Sequence, residues 1–415
     1  MKTVKMKKTI QKNKQLIKMF GFTLMLIAVT ILGKTIPLPG VSAVQGPRLT
    51  NSALLHFLSV TTGGNLVTPT MFSLGLAPYM SAMIFWQTIR LIDADFLNNL
   101  TVKAQGHILH VMTLIVSLLQ ALLLTLSADT FIGKIGIEHF SKPVMQVFIV
   151  IFLTTGGMIF AWFAEMNTQK GIGQQMVLFL PGIIQGMIAV VLTGYQNFYT
   201  AQKVNPLFVL GMLALTAVFI YITLFMFTAE RRIHYKQVGI ESKFNKSYFP
   251  IRLLNAGVMP IMLTGAVYRI PSFLPFENNS MFRKIIKLLF TLTSLPGTLM
   301  YGLIFFLLCM AFTYINIRPY DIAKNLRESG DYIVDFMPGR ATQNYITKVM
   351  NRVSLVGNLY LLLMTVVPLW IGLQIVWVQN LSFYFGSVFF MIVIIDNVRR
   401  SVNFVRNLNK DSIFE

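Results

Sequence analysis

The stretch VMQVFIVIFLTTGGMIFAWFAEM, residues 144–166, decides the class of fold to which this chain belongs. It holds a single ionisable residue, Glu165, close to its C-terminal end. A helix needs about 20 predominantly apolar residues to cross the hydrocarbon core of a bilayer, and this stretch is long enough. Residues 144–166 therefore predict a transmembrane helix.

Nine further stretches of similar length and composition occur along the chain. Together with 144–166, they give ten predicted spans: 16–36, 67–91, 106–127, 144–166, 172–194, 207–229, 255–272, 292–315, 346–372 and 383–404. The 415 residues are 55% hydrophobic and only 12% charged, whereas soluble domains are about a quarter charged. We therefore expect an all-α membrane protein of ten transmembrane helices, in which the first helix is retained and is not a cleaved signal peptide.

The basic residues are distributed unevenly between the loops. The net charge is +20, from 35 Lys and Arg against 15 Asp and Glu. If the N-terminus is inside, 26 of these 35 residues fall on the cytoplasmic side and 9 outside. Because cytoplasmic loops carry an excess of Lys and Arg, both termini are expected in the cytoplasm. A basic chain can also bind nucleic acid, but here the charges lie between apolar stretches, so no nucleic-acid partner is expected.

Three regions outside the predicted spans are long enough to form structures of their own. The first external region, 41–66, contains the apolar run SALLHFLSV at 52–60, which is too short to cross the membrane. It fits a re-entrant or interfacial helix, which is tolerated at depth only where protein or water surrounds it, and equally fits an ordinary amphipathic loop. The other two regions are the basic cytoplasmic loops 230–254 and 316–345.

Five predicted spans lie in an N-terminal half, 1–194, and five in a C-terminal half, 195–415. Two halves that each contain an odd number of spans have opposite orientations in the membrane. Inverted repeats of this kind are common in membrane transport proteins. The count therefore predicts two pseudo-symmetric halves of five helices each.

The sequence offers little chemistry for an enzyme. His107 and His110 lie three residues apart on one helix face and could ligate a metal, but no third His, Cys or carboxylate follows nearby, and polar residues near a helix end explain them better. The single cysteine, Cys309, excludes an internal disulfide and is expected to be a small buried hydrophobe. There is no phosphate-binding or metalloprotease motif. We expect no catalytic activity, no metal and no cofactor, so that any energy from ATP must come from a partner.

Glycines and prolines interrupt several predicted spans. Those that lie beside apolar residues are Gly75, Pro78, Pro181, Gly182, Gly257 and Pro260. Two interpretations stay open. Broken helices can line an apolar pore that closes by excluding water, or the same residues can serve helix packing and kinks. A carrier for small solutes would instead require a charged or polar site at the middle of the membrane, and no such site is evident.

Several short motifs carry a resemblance to a known family. They are IPLPG (36–40), LGLAPYMSA (74–82), GIG (171–173), ERRI (230–233), NAGVMP (255–260), the stretch 321–330, PG (338–339) and NR (351–352). Each motif alone is weak. In this order and at this spacing, across nearly the whole chain, they resemble the SecY family of protein-conducting channels.

The resemblance implies a SecY-like channel, an hourglass of ten helices in two halves hinged between the fifth and sixth spans. It places a plug in 41–66, including Ser52, Leu54, Leu55, Phe57 and Leu58. It also implies a ring of apolar residues around the pore, formed by Leu76, Met80, Leu180, Ile184, Met262 and Ile394. The resemblance further assigns Gln87 and Asn255 to the lateral gate.

The resemblance also implies partners. Arg231 and Arg232, with the loop 316–345 and its Arg340, correspond to the surface on which a motor ATPase or a ribosome docks. The implied partners are a SecA-type motor ATPase, small SecE- and SecG-like membrane subunits, an unfolded preprotein and the lipid bilayer, with a ribosome less expected. The implied location is the bacterial plasma membrane.

Departures from the family pattern indicate a subfamily. Met337 stands where the family has an arginine at the loop tip, and Arg340 follows three residues later. The sequence QKGIGQQ at 169–175 lacks an acid–arginine pair, and Asn255 lies one residue later than the family's asparagine. These features resemble the accessory SecY homologues of Gram-positive bacteria, which export serine-rich glycoprotein adhesins. The alternatives are a housekeeping SecY channel and, less expected, a secondary solute transporter.

Overall fold

A computed structural model describes residues 2–38, 70–92, 100–127, 142–188, 206–237, 247–269, 281–291, 294–373 and 376–411. In chain order the elements are α1 (Lys2–Gly33), α2 (Ala77–Ile92), α3 (Val102–Ser127), α4 (Lys142–Lys170), α5 (Gln175–Ile188, opening with a 3-10 turn), α6 (Pro206–Thr228), β1 (Glu230–His234), β2 (Tyr248–Arg252), α7 (Met259–Arg269), α8 (Met281–Leu289), α9 (Leu295–Ile317), α10 (Pro319–Glu328), α11 (Arg340–Ile371) and α12 (Val376–Asp411).

A described helix overlaps each of the ten predicted spans, and the expected all-α membrane fold is confirmed. Within the described ranges, five stretches are long and apolar enough to cross a membrane: Leu16–Gly33, Lys103–Thr125, Pro143–Lys170, Leu295–Glu328 and Arg340–Ile371. The shorter apolar helices Gln175–Ile188 and Leu213–Thr228 add to these.

The second predicted span differs from the expectation, because its helix begins only at Ala77. The residues before it form turns, in which Gly75 adopts a left-handed backbone with φ of 54°. Glycine has no Cβ and therefore tolerates this conformation, so Gly75 allows the chain to turn before the helix starts. Met71, in these turns, packs closely against α4. A Cβ on Gly156 of α4 would lie 1.9 Å from the Met71 carbonyl oxygen, so the glycine leaves room for this contact.

The chain divides into two compact units, the first formed by Met1–Gln196 with Phe390–Glu415 and the second by Asn197–Phe389. In the first unit, α4 is the helix against which several others pack. Buried Ile149 and Leu153 of α4 form one apolar cluster with Leu38, Leu74 and Ala121. Because these residues come from well-separated parts of the sequence, the cluster joins α3, α4 and the two segments that flank 39–69.

In the second unit, α9 and α11 pack along each other. A Cβ on Gly302 of α9 would lie 3.0 Å from Val366 of α11, which shows how closely the two helices approach. Cys309 of α9 is fully buried, as the sequence predicted. Strands β1 and β2 were not predicted from the sequence, in which 230–254 shows only the composition of a basic loop.

Candidate functional site

The polar regions 230–254 and 316–345 fold into one surface in the second unit. We call this surface the loop platform and define it as β1, β2, α10, the segment 329–339 and the first turns of α11. Strands β1 and β2 pair antiparallel with Ile233 opposite Phe249. The backbone of Lys236 exchanges two hydrogen bonds with that of Tyr332, with N–O distances of 2.8 and 3.1 Å. The hairpin and the second loop are thus joined directly.

An apolar core holds the loop platform in shape. Ile233 and Ile251 of the hairpin are buried against Ile333, Ile346 and Met350. Burying an aliphatic side chain of this size contributes about 1.5–3 kcal/mol. The two regions that the sequence predicted as cytoplasmic loops therefore form a small folded structure with a core of its own.

The two arginines predicted to dock a motor are both exposed but have different surroundings. Nε of Arg232 lies 2.9 Å from Oε1 of Glu230, and its guanidinium lies over the ring of Tyr248 at 4.7 Å. The hydrogen bond with Glu230 raises the pKa of Arg232 above its ordinary value. No partner of Arg231 is found among the described residues. Arg231 is therefore the arginine whose charge is available to a second protein.

A cavity of about 270 Å³ opens in the loop platform. Ile233, Phe249 and Leu326 give it an apolar lining, and Asn325 and Asp331 add polar groups. The lining is therefore mainly apolar, with a few polar groups. This cavity was not foreseen from the sequence, because its lining comes from segments nearly a hundred residues apart.

The tip of the second loop exposes an apolar side chain. Met337 is 81% exposed, and Arg340 is exposed at the start of α11. The hydroxyl of the buried Thr342 donates to the Met337 carbonyl oxygen at 2.8 Å, while Phe336 stacks on Tyr345 with ring centroids 4.2 Å apart. These contacts hold the tip in one shape, so Met337 is presented outward by an ordered turn.

The six residues predicted to form the pore ring lie in different environments. Leu76, Met80 and Ile394 are fully or almost fully buried, Leu180 and Met262 are half-buried, and Ile184 is 43% exposed. Five of the six belong to the first unit and Met262 belongs to the second. The ring itself stays a prediction.

The residues assigned to the lateral gate also stay predictions, but the structure shows what each of them contacts. Gln87 is half-buried on α2. The side-chain amide of Asn255 donates to Ser354 of α11 at 3.1 Å and to the carbonyl oxygen of Arg252. The amide of Asn316 donates to the Asn255 carbonyl oxygen at 2.7 Å. These bonds tie the segment before α7 to α9 and α11 of its own unit.

A buried polar cluster that the sequence analysis missed lies in the first unit. Asn167 is fully buried, and its amide donates to the carbonyl oxygen of Gln174 at 2.5 Å. Thr23 of α1 donates to Asn167 at 2.9 Å and accepts from the backbone N–H of Ile172 at 2.9 Å. Gly173 N–H donates to Ser401 of α12 at 3.2 Å. The cluster therefore joins α1, α4, α12 and the start of α5.

The histidine pair needs one correction. The sequence showed no carboxylate near His107 and His110, but Glu165 of α4 lies 3.3 Å from Nε2 of His110. The carboxylate is distant in sequence and is brought close by the packing of α3 on α4. Among the described residues, no group of three His, Cys, Asp or Glu side chains is suited to hold a metal.

The predicted plug residues Ser52, Leu54, Leu55, Phe57 and Leu58 lie outside the described residues. What is described is the base of this region. Pro37 and Thr70 form an antiparallel bridge, and the N–H of Met71 donates to the carbonyl oxygen of Ile36 at 3.2 Å. The two ends of 39–69 are therefore held together.

Three curated proteins that are similar in sequence to this chain are all protein translocase subunits. This chain is 28% identical over 392 residues to the accessory Sec system protein translocase subunit SecY2 of Leuconostoc gelidum subsp. gasicomitatum, and the match covers 92% of this chain and 93% of the relative. It is 28% identical over 395 residues to the protein of the same name from Streptococcus sanguinis, with 93% and 95% covered. The protein translocase subunit SecY of Lactococcus lactis subsp. cremoris is 26% identical over 380 residues, with 86% and 85% covered.

Solved structures support the same fold. A structure of a protein-conducting channel superposes with a TM-score of 0.60 at 13% identity, covering 93% of this chain and 92% of that one. A structure from work on the plug domain of the SecY protein superposes with a TM-score of 0.61 at 14% identity, covering 93% of this chain and 92% of that one. The sequence profile of the SecY family matches residues 70–398, which is well over half of the chain. This chain therefore belongs to the SecY family.

Proposed function

We propose that this chain is the pore-forming subunit of an accessory Sec protein translocase in a bacterial plasma membrane. The similarity to accessory SecY2 subunits over more than nine tenths of each chain carries this proposal. The chain passes unfolded preproteins across the membrane, and serine-rich glycoprotein adhesins are the proposed cargo. Both termini lie in the cytoplasm, in agreement with the distribution of Lys and Arg.

The loop platform is the proposed docking surface for a SecA-type motor ATPase. Arg231 offers a charge without a partner among the described residues, Met337 offers an exposed apolar side chain and Arg340 adds a second exposed charge. Charged groups at the edge of an interface steer association, while apolar side chains that fill pockets supply much of the affinity. The motor binds this surface and pushes the preprotein into the pore.

At rest, the predicted ring of apolar residues and the plug keep the pore free of water and closed to ions. The signal segment of a preprotein enters between spans 2 and 3 on one side and spans 7 and 8 on the other, and the plug moves aside. Met80 and Met262 then contact the moving chain. Methionine is flexible and polarizable, so the two residues adapt to side chains of different sizes. Small SecE- and SecG-like subunits brace the channel from the lipid side.

Depletion of this chain in its host, followed by mass spectrometry of the secreted proteins, tests the proposed function. Loss of one serine-rich glycoprotein with general secretion intact is the expected result. General failure of secretion would instead indicate the housekeeping role of the Lactococcus SecY relative. Unchanged secretion combined with a loss of solute uptake would contradict both and favour a carrier.

A further inference from the structure

Helix α8, Met281–Leu289, is a short amphipathic helix between α7 and α9. Its nine residues, MFRKIIKLL, include Arg283, Lys284 and Lys287 and no acidic residue. The remaining six residues are apolar. Arg283, Lys284 and Lys287 are among the nine Lys and Arg residues that the sequence predicts outside.

The apolar and basic positions of α8 fall on opposite sides of the helix. At 100° per residue, positions 283, 284 and 287 occupy one arc of about 100°, and the apolar positions occupy the rest. Within the apolar arc, Met281 is 78%, Ile285 47% and Leu288 54% exposed. These three residues form an apolar strip that no described part of the chain covers.

The C-terminal end of α8 is fastened to its two neighbouring helices. The hydroxyl of Tyr268, on α7, lies 3.3 Å from the carbonyl oxygen of Leu289 and 3.1 Å from that of Gly297 in α9, and its single proton is shared between these two acceptors. The Tyr268 and Phe290 rings lie 5.3 Å apart. Ser294, at the start of α9, donates to the carbonyl oxygen of Leu288 at 2.7 Å. These contacts hold α8 at the ends of two predicted transmembrane helices, which is the level of the lipid headgroups.

We propose that α8 is a binding site for anionic lipids and lies in the plane of the membrane interface. Met281, Ile285 and Leu288 enter the acyl region, and Arg283, Lys284 and Lys287 bind lipid phosphates. An exposed apolar strip beside a basic strip is the pattern of helices that lie in a lipid interface, and clustered basic residues favour anionic headgroups. The proposal concerns the membrane and is independent of the motor and of the cargo.

Lipid binding at α8 acts on α7 through the contacts of Tyr268 with Leu289 and with the ring of Phe290. The resemblance to the SecY family assigns the segment before α7, with Asn255, to the lateral gate. An anionic lipid that holds α8 in the interface therefore also holds the C-terminal end of α7, opposite the end that follows Asn255. The lipid composition then contributes to how freely α7 moves.

A fluorescent label at position 281 tests the lipid contact. In the full-length chain, Met281→Cys is selective for labelling, because Cys309 is the only native cysteine and is fully buried. The labelled protein is reconstituted in vesicles of phosphatidylcholine, with or without phosphatidylglycerol, that contain lipids carrying a nitroxide quencher near the headgroup. We expect strong quenching at position 281 and stronger quenching when phosphatidylglycerol is present.

A label at Met337→Cys is the matched control, because Met337 is a methionine of similar exposure, 81%, on the loop platform. It is expected to show little quenching in either vesicle. Replacement of Arg283, Lys284 and Lys287 by Gln should remove the preference for phosphatidylglycerol, with about a fivefold weaker association for each charge removed. Quenching at position 281 as weak as at position 337, or equal in both lipid mixtures without any replacement, would overturn the proposal. Either result would leave the proposed function, preprotein export by the channel, unchallenged.

Discussion

Arg231 and Arg232 are adjacent in the sequence, yet their surroundings differ. Arg232 is paired with Glu230 and lies over Tyr248, so its charge also supports the hairpin. Arg231 is exposed and has no partner among the described residues. From the sequence the two could not be told apart, because the difference arises from the pairing of β1 with β2.

Charge reversal at Arg231 is expected to weaken binding of the motor about tenfold. A motor surface that is complementary to Arg231 is negative, and it would be repelled by a glutamate at this position. The hairpin should remain folded, since the backbone of Arg231 still pairs with Ile251 and its side chain has no hydrogen-bond or ion-pair partner among the described residues. Titration of purified motor onto the reconstituted channel measures this. Arg232→Glu is the companion variant and should also loosen the hairpin, because it places a second carboxylate beside Glu230. Unchanged affinity in Arg231→Glu would remove this residue from the docking surface.

Gly171 illustrates a residue whose importance only the packing reveals. A Cβ at this position would lie 2.0 Å from Oδ1 of Asn167 and 2.6 Å from Oγ1 of Thr23. Gly171→Ala is therefore expected to break the buried hydrogen bonds of this cluster and to cost about 1–3 kcal/mol. The measurement is the thermal unfolding midpoint in detergent.

Gly106→Ala is the control for this prediction, because a Cβ on Gly106 of α3 would meet nothing within 4 Å. It should be neutral or stabilise the protein by up to about 1 kcal/mol, since alanine is the better helix former. Equal midpoints for the two variants would show that the cluster around Asn167 does not hold the helices together.

Gln174 carries backbone strain at the start of α5. Its φ of 59° and ψ of −158° lie in a region that glycine adopts almost exclusively. Such a conformation costs about 1–3 kcal/mol for a residue with a side chain, and part of a glycine's benefit is lost to its freedom in the unfolded chain. Gln174→Gly is therefore expected to raise stability by about 1 kcal/mol. A lower unfolding midpoint would contradict this reading of the backbone.

At the scale of elements, long apolar stretches were predicted well and short elements were missed. A predicted span such as 144–166 stands out because a run of about 20 apolar residues is the length that a bilayer requires and is seldom needed in a soluble core. Strands β1 and β2 have five residues each and carry Arg231, Arg232 and Pro250. A proline within a short run argues against a strand, and so few residues cannot show a clear alternation.

The loop platform depends on the core beneath its hairpin. Ile251 of β2 is fully buried, so Ile251→Ala is expected to cost about 2–5 kcal/mol locally. The expected result is faster proteolysis of 230–254 and 316–345 together with weaker motor binding. Val334→Ala is the control, because Val334 is 44% exposed on the same surface. Identical proteolysis of the two variants would mean that the hairpin core does not support the platform.

At the scale of the whole molecule, the order and spacing of short motifs identified the family that the comparisons then established. The ten spans followed from the apolar stretches, and the accessory subtype followed from departures within the motifs. Side-chain contacts across long sequence distances did not follow. Neither the Glu165–His110 pair nor the Asn255–Ser354 bond has a signal in the sequence, since each depends on how separate helices pack.

The central claim is that these helices enclose a pore through which a polypeptide passes. The most direct measurement is site-specific photocrosslinking with a photoreactive residue at Leu180, while a preprotein is stalled during export. Leu213 of α6 is the matched control, because it is the same residue type, is 64% exposed and lies on a predicted transmembrane helix that is not one of the four between which the signal segment is proposed to enter. Crosslinks to the preprotein from position 180 and not from position 213 are predicted. Crosslinks from position 180 only to lipid or to neighbouring helices would contradict the claim.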